Sequence, residues 1–262
     1  MSRNLTASDR SALIRLASTL PVGSTERKTI LAGLSQSRTA AEGDVNVPGK
    51  HILDQAKVYG YATVSSDATV SGKAEVSGAA KVWGKAKVSG RATVSEGADV
   101  SGKAQVYGDA GVGGNARVYG NAVVLAYTTV AGNAKVYDNA LVSASASVYG
   151  DAEVFGAAQV LGNAKVRDYA AVSSDAKVYG NAEVYGNAKV YGNAEVFGNA
   201  RVQAGAQVSG NAEVYGRCLV TGNAQVFGMA RIGGDAVILG GSWDGSEGEI
   251  TSGKWQGPNR PA

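Results

Sequence analysis

The sequence contains few of the residues that usually carry disulfides, metals or acid–base chemistry. Its 262 residues include 1 cysteine, 1 histidine and 4 prolines. The lone Cys218 cannot form an intramolecular disulfide, and it says little about the redox compartment. Because His51 is the single histidine, a zinc site with three histidine ligands is excluded. We expect no bound metal and no cofactor.

Long apolar runs are also missing. No run reaches about seven apolar residues, which argues against a secretory signal. None approaches the roughly 20 apolar residues of a membrane-spanning helix. The sequence therefore predicts a protein with no secretion signal and no membrane partner.

Charge of one sign is not concentrated in the main part of the chain. Residues 1–50 hold seven Lys/Arg against four Asp/Glu, which accounts for the formal net charge of +3. The remaining residues balance at 18 against 18. A neutral surface with interleaved signs lacks the basic stripe of a nucleic-acid binder, so we expect no nucleic-acid partner.

The feature that organises the chain is an internal six-residue repeat. A branched aliphatic residue recurs at every sixth position from Val58 to Ile238, 31 times without a slip. Two positions before each lies a small residue, which is Ala in 29 of the 31 units, with Thr128 and Cys218 as the exceptions. A strict short period predicts a solenoid, and its regular apolar residues argue against disorder.

Each unit has the pattern of a short strand followed by a corner. In residues 181–186, Ala182 and Val184 are two positions apart, so they point to the same, inward side of an extended strand. Glu183 and Tyr185 then point outward. Most corners are Gly followed by Asn, Asp, Lys or Ala, and Asn fills eleven of them. Gly and Asn both tolerate positive φ, and a Gly in most units disfavours a helix.

The charged residues just before each Val predict how many units close one coil. Stacked neighbours of opposite sign are favoured and like ones are penalised. At a spacing of 18 residues eight neighbours are opposite and two alike, against four and four at 12 and two and four at 24. Three units therefore close a coil. The eight opposite pairs are Lys57/Glu75, Lys81/Asp99, Asp99/Arg117, Lys135/Glu153, Lys165/Glu183, Glu183/Arg201, Lys177/Glu195 and Glu213/Arg231.

The unit Ala-x-Val-x-Gly-Asn resembles the hexapeptide repeat of left-handed parallel β-helix proteins. The tandem form Asn-Ala-x-Val-Tyr-Gly is similar to enterobacterial hexapeptide-repeat proteins labelled as acetyltransferases. The resemblance covers roughly 180 of the 262 residues and implies an all-β solenoid. Over residues 51–240 we expect a left-handed parallel β-helix of about ten three-sided coils of 18 residues, stacked at ~4.8 Å.

Some proteins with this type of repeat are enzymes, and their catalytic features can be looked for in this sequence. The acyltransferases use a histidine at a face between subunits and a loop that holds the acyl carrier. Here His51 lies outside the repeat and no insertion interrupts the 31 units. We therefore expect no catalytic residue, with His51 packing at the edge of the first coil rather than acting as a general base. Cys218 is expected to be a buried, inert thiol, and the corner residues Asp67, Asp109, Asp151, Asp175 and Asp235 are expected to serve the turns.

Residues 1–50 differ in composition from the repeat. Ser8 and Asp9 predict the start of a helix that runs to about Leu20, and a second helix ends at about Leu34. The sequence thus predicts a helical hairpin, followed by a linker over residues 35–48. This hairpin has three interpretations: it caps the first coil, it docks onto a partner, or it is a targeting segment. The sequence Leu-Ile-Arg-Leu-Ala-Ser at residues 13–18, followed by Glu-Arg-Lys at residues 26–28, resembles short N-terminal segments of bacteriophage-encoded proteins. This resemblance implies a cytoplasmic or virion-associated protein.

The segment 241–262 follows the end of the repeat. An unpaired final coil invites end-to-end association, and Trp243 and Trp255 are expected to fold over the last coil as a cap.

The outward residues fall on three faces at a period of 18. The first face carries a set of aliphatic and aromatic residues that we predict to be an interface with another subunit or partner: Tyr107, Val123, Leu125, Leu141, Leu161, Tyr179, Phe197 and Tyr215. The second face carries an aromatic ladder: Trp83, Tyr119, Tyr137 and Phe155, with Tyr191 and Phe227 above it. The third face has Tyr59, Tyr149 and Tyr185 around a bare middle at Gly111 and Gly113.

Three functions follow from these patterns. The leading interpretation is a non-enzymatic structural or adaptor rod, attached through its N-terminal hairpin and assembling with itself or with a protein partner. The second is a carbohydrate-binding module that stacks sugar rings on the aromatic ladder. The third is an acyltransferase of the hexapeptide-repeat type, which the resemblance implies.

Overall fold

The computed structural model describes residues 51–257 and the backbone of 260–261. The hairpin and linker predicted for residues 1–50 lie outside this part of the chain. The described residues form 35 strands, and no segment among them is a helix long and apolar enough to cross a bilayer.

The strands are short and evenly spaced along the chain. In chain order they are β1 Lys57–Val58, β2 Thr63–Val64, β3 Thr69–Val70, β4 Glu75–Val76, β5 Lys81–Val82, β6 Lys87–Val88, β7 Thr93–Val94, β8 Asp99–Val100, β9 Gln105–Gly108, β10 Gly111–Val112, β11 Arg117–Val118, β12 Val123–Ala126, β13 Thr129–Val130, β14 Lys135–Val136, β15 Leu141–Val142, β16 Ser147–Val148, β17 Glu153–Val154 and β18 Gln159–Val160. They continue with β19 Lys165–Val166, β20 Ala171–Val172, β21 Lys177–Val178, β22 Glu183–Val184, β23 Lys189–Val190, β24 Glu195–Val196, β25 Arg201–Val202, β26 Gln207–Val208, β27 Glu213–Val214, β28 Leu219–Val220, β29 Gln225–Val226, β30 Arg231–Ile232, β31 Val237–Ile238, β32 Ser242–Trp243, β33 Glu249–Ile250, β34 Lys254–Gly257 and β35 Arg260–Pro261.

Every third strand belongs to the same sheet, so the chain winds around three sheets. The first face is the 11-stranded sheet that runs from β3 through β15 to β33, and the second face is the 11-stranded sheet from β2 to β32. The third face is a 13-stranded sheet from β1 through β34 to β35. The pairing is parallel with a step of 18 residues, as in Lys57↔Glu75. The predicted three-sided parallel solenoid is therefore confirmed.

The core is the column of inward side chains that the repeat predicted. The Ala and Val of successive units are buried, from Ala62 and Val64 at the lower end to Ala236 and Ile238 at the upper end. Each buried Val contributes roughly 1.5–2 kcal/mol through the hydrophobic effect. Ala56 and Val58 are only half-buried because they belong to the first coil.

The parallel stacking continues past Leu239, which gives about eleven coils rather than the ten that we expected. The six-residue spacing changes there, but Trp243 pairs with Val226, Ile250 with Ile232 and Trp255 with Ile238. These three residues take the inward position, and Trp243 and Ile250 are buried. The extra coil was not recognised because its spacing is irregular and Trp stands where the repeat has Val.

The corners depend on positive φ at the position two after each Val. At Gly216 φ is +70°, and a Cβ there would stand 2.7 Å from the backbone nitrogen of Gly234 in the next coil. The Asn that follows Gly in many corners does not share this role, since no described Asn has positive φ. Its side chain instead donates to the Asn one coil on, as from Asn121 to Asn139 at 3.0 Å.

Candidate functional site

The eight residues predicted as an interface all lie on the first face. Tyr107 lies in β9, Val123 and Leu125 lie in β12, and Leu141 lies in β15. Leu161, Tyr179, Phe197 and Tyr215 directly follow β18, β21, β24 and β27 of the same sheet. The structure thus brings these side chains into one column, while their use as an interface stays a prediction.

The side chains of the first face are half-buried rather than fully exposed. The rings of Tyr179 and Phe197 stack with centroids 4.9 Å apart, and those of Phe197 and Tyr215 are 5.3 Å apart. Leu125 pairs in register with Tyr107, because β9 and β12 are four residues long where most strands have two. Mutual contact along the column covers part of the apolar area that the sequence had suggested was exposed.

A shallow, open hollow of about 420 Å³ lies beside this column and is lined by Leu161 and Tyr179. Lys177 and Glu195 line its edge and form an ion pair at 2.9 Å. The hydroxyl of Tyr179 donates to the other carboxylate oxygen of Glu195 at 3.0 Å. The hydrogen bond from Lys177 lowers the pKa of Glu195. Burial, followed by the hydrogen bond to Glu195, raises the pKa of Tyr179 to about 12.

This Lys–Glu–Tyr arrangement occurs once on each face. On the second face, Lys135 and the hydroxyl of Tyr137 bond the two oxygens of Glu153 at 2.8 and 3.2 Å. On the third face, Glu75 accepts from Lys57 and Tyr59 in the same way. The charge pattern of the sequence predicts the Lys/Glu pairs but not the tyrosines, although Lys-Val-Tyr with a Glu 18 residues after the Lys was a usable signal.

Five of the eight opposite-charge pairs come within 4 Å. They are Lys57–Glu75, Lys135–Glu153, Lys165–Glu183, Lys177–Glu195 and Arg231–Glu213. The other three are stacked in register, but Asp99 accepts instead from the indole of Trp83 at 2.7 Å. Exposed pairs of this type contribute little individually, so they specify the stacking register more than they stabilise it.

The second face carries the predicted aromatic ladder. Tyr119 stacks on Tyr137 with centroids 4.9 Å apart and planes 1° apart, and Tyr137 stacks on Phe155 at 5.0 Å and 3°. Trp83 lies two coils below Tyr119 and is 49 % exposed. The rings in the middle of the stack cover each other, so an open ring face is left at the ends of the stack.

The third face has the bare middle that the sequence predicted. A Cβ added to Gly111 would meet nothing within 4 Å. Above this region Arg167 stacks over Tyr185 at 3.9 Å and forms ion pairs with Asp168 at 3.1 Å and with Glu183 at 3.7 Å. Its guanidinium is thus occupied within the chain.

The most exposed large hydrophobic side chains are at corners, and the repeat pattern did not predict them as functional residues. Tyr61 and Met229 are each 77 % exposed, Tyr127 is 68 % exposed and Tyr169 is 67 % exposed. They occupy the corner position where most units have Asn, Asp or Lys. A large apolar residue at that position was therefore a sign in the sequence of an exposed side chain. They lie far apart along the chain and do not form one patch by sequence register.

Acidic residues at the positive-φ position form a further pattern that the sequence analysis missed. Asp138 and Asp168 have φ near 60°, where most units have Gly. Their carboxylates accept hydrogen bonds from the backbone N–H of Gly156 and Gly186, 18 residues on, at 3.2 and 3.1 Å. These carboxylates therefore hold consecutive corners together.

The candidate chemical residues are separated from each other. His51 is exposed, and its carbonyl accepts from the N–H of Val70 at 2.8 Å, so its backbone rather than its side chain pairs with the first coil. Cys218 is buried, and desolvation raises the pKa of its thiol to about 12. Among residues 51–257, no three His, Cys, Asp or Glu side chains are grouped as metal ligands would be.

Three of the five predicted corner aspartates contact neighbouring coils through their side chains. Asp109 pairs with Arg91 at 2.6 Å and Asp235 with Arg217 at 2.9 Å. Asp151 accepts from the amide of Asn133 at 2.9 Å. Through these contacts the three aspartates link the corners of successive coils.

The two residues predicted as a cap meet at the upper end of the solenoid. Trp243 is buried and packs edge-to-face against Trp255, with ring centroids 5.9 Å apart. Each indole N–H donates to a nearby carbonyl at 2.8 Å, that of Gly240 or Ser252. β34 then pairs with β35 in antiparallel orientation.

The described part of the chain is a β-solenoid built from a six-residue repeat, since an Ala/Val column of period six winds around three parallel sheets of period 18. Comparison with protein families agrees with this class. Three segments, residues 112–126, 134–150 and 194–210, match the family described as YdcK beta solenoid repeat. A comparison with curated proteins finds no match.

Proposed function

We propose that this protein is a non-enzymatic structural rod that assembles with a second copy through the first face. One observation carries the proposal: Val123, Leu125, Leu141 and Leu161 follow each other over three consecutive coils of one sheet. Contiguous apolar side chains on an outer face are costly to leave in water and typically mark an interface. The ladder Tyr179–Phe197–Tyr215 extends this surface.

The proposal also includes the handedness of the coil and a role for residues 1–50. We take the coil to be left-handed, as the hexapeptide repeat implies. Residues 1–50 would attach the rod to a larger particle, for example a bacteriophage virion. Removal of residues 1–50 would then abolish co-purification with the particle without changing the β-rich circular dichroism spectrum.

Sedimentation equilibrium tests the self-assembly. Wild-type protein should associate, and Leu125→Asp should shift it to monomer, because a carboxylate would be buried at the contact. Ala131→Asp on the third face is the matched control, since it introduces the same charge in the equivalent position after a Val. Wild-type protein that stays monomeric at high concentration contradicts the proposal.

Two other functions have their own tests. A carbohydrate module would bind glycans on an array and lose binding with Tyr137→Ala, although the stacked rings of the second face leave few open faces for sugar. An acyltransferase would consume acyl-coenzyme A in the presence of an acceptor. The rod proposal expects neither activity.

A further inference from the structure

Five outward residues in one column of the first face are arranged as a palindrome. Reading up the column that follows each Val, the side chains are Tyr107, Leu125, Ser143, Leu161 and Tyr179. The same residue types recur at equal distances on both sides of Ser143, which follows β15. In the sheet order β12 and β18 are the neighbours of β15, and β9 and β21 are the next strands out.

We propose that a second copy of this chain docks on the first face in antiparallel orientation, with a two-fold axis that lies in the interface at the level of β15. This inference rests on the proposed self-assembly and specifies its geometry. A two-fold axis in the interface, perpendicular to the stacking direction, places each coil opposite the coil equally far on the other side of β15. Leu141 then faces its own copy, Leu125 faces the partner's Leu161, and Tyr107 faces the partner's Tyr179.

The charges on the first face fit this axis. Lys87 in β6 and Glu195 in β24 each lie three strands from β15, so they face each other across the axis. At the corner that leads into the first face, Lys103 precedes β9 and Asp175 precedes β21. Because β9 and β21 each lie two strands from β15, Lys103 of one copy faces the partner's Asp175. Lys57 and Lys177 pair with carboxylates on the next coil. Among the described residues, by contrast, no carboxylate lies within 4 Å of the ammonium group of Lys87 or Lys103. Both lysines are therefore available to a partner.

The opposite orientation of the two copies is disfavoured by the same charges. A parallel pair would place Lys87, which has no carboxylate within 4 Å among the described residues, beside the partner's Lys87, and like charges across an interface disfavour association. In the antiparallel pair, Lys73 and Arg217 meet as like charges at the rim, where Arg217 is already paired with Asp235. The electrostatic balance thus favours the antiparallel arrangement.

The contact area is sufficient for a specific dimer. The nine strands from β3 to β27 extend about 38 Å at ~4.8 Å per strand, and a face about five residues wide measures roughly 15 Å. Each copy would then bury about 600 Å², or about 1,200 Å² in total, which is at the lower end for specific interfaces. A moderate affinity is expected.

A charge exchange tests the pairing. Lys87→Glu and Glu195→Lys should each raise the dimer dissociation constant about tenfold or more. The double variant should return toward the wild-type value, because the two charges exchange places across the axis. Lys189→Glu on the second face is the matched control and should leave the dissociation constant unchanged. Single variants that bind as wild type, or a double variant without recovery, would overturn the inference.

A distance measurement distinguishes this inference from the proposed function. A spin label on Thr69→Cys, in a Cys218→Ala background, should lie about 38 Å or more from the partner's label, because the axis carries β3 onto the level of β27. A dimer with labels closer than about 20 Å overturns the antiparallel geometry and leaves the self-assembly standing. Monomeric protein in the same experiment overturns both.

Discussion

The ring of Tyr215 lies on the backbone of Gly233, one coil further along the first face. A Cβ built on Gly233 would overlap Cζ and Cε2 of that ring. Gly233 is buried although it occupies an outward position, because the ring covers it. The ladder Tyr179–Phe197–Tyr215 therefore ends at a residue that must lack a side chain.

Replacement of Gly233 by Ala should destabilise the upper coils. The added methyl group must displace the ring of Tyr215, and overpacking of this type costs about 1–3 kcal/mol. Thermal unfolding followed by circular dichroism should show a lower midpoint. Gly113→Ala is the control, because it takes the same place after a Val and its Cβ would be 3.5 Å from Ser95 Oγ, an ordinary contact. Equal midpoints for the two variants would contradict the prediction.

Thr128 places a hydroxyl in the apolar core where most units have Ala. The residue is 1 % exposed, and its Oγ1 has no hydrogen-bond partner among the described residues. Thr128→Val removes the buried polar group and keeps the volume, so stability should rise by about 1 kcal/mol. The adjacent Thr129 is exposed, and Thr129→Val should change stability little. Urea unfolding midpoints of both variants check this, and a less stable Thr128→Val would count against it.

The thiol of Cys218 should be unreactive in the folded protein. Burial raises its pKa from 9.0 to about 12, so the thiolate fraction at pH 8 falls about a thousandfold, and the thiolate is the reactive form. Its sulfur lies 3.6 Å from the carbonyl oxygen of Ile232, inside the core. Ellman's reagent at pH 8 should report one thiol only after denaturation. Rapid labelling of the native protein would show that the upper coils open.

Alkaline pH should weaken the solenoid through Tyr179. Its pKa in the folded chain is about 12, above that of an unfolded tyrosine at about 10. The neutral phenol is therefore favoured by folding, and its contribution is present below about pH 10 and is lost as pH rises toward about 12. Tyr179→Phe should show a smaller loss of thermal stability between these pH values than the wild type. An unchanged pH profile would contradict the assignment.

The coil period could be predicted from the sequence because two independent patterns agree on it. Inward Ala and Val fix the strand, and opposite charges such as Lys135 and Glu153 outnumber like charges at a spacing of 18 residues but not at 12 or 24. Both patterns reflect contacts between neighbouring residues, either within one strand or between stacked coils. In a strict repeat these contacts recur at fixed sequence spacings and can be read directly from the sequence. The distribution of residues among the three faces follows from the same period.

The rest depended on side-chain geometry that a period does not contain. The Asn residues bond each other between coils, as in Asn121 and Asn139, whereas the sequence suggested that they supply positive φ. Asp138 and Asp168 take the positive-φ position and bond the next corner, which the residue types alone did not indicate. The rings of Tyr179, Phe197 and Tyr215 cover each other by stacking, which becomes evident only when the rotamers are known.

The 18-residue step also determines which changes in length the chain can accept. Loss of a single six-residue unit in the middle would preserve the inward Ala and Val, so the shortened solenoid could still fold. Every outward side chain beyond the deletion would, however, move to the neighbouring sheet, and Leu161 would no longer stand above Leu141. Only insertions or deletions of whole coils keep the surface pattern intact, which makes the coil the smallest unit by which this protein can be lengthened or shortened without altering its surface.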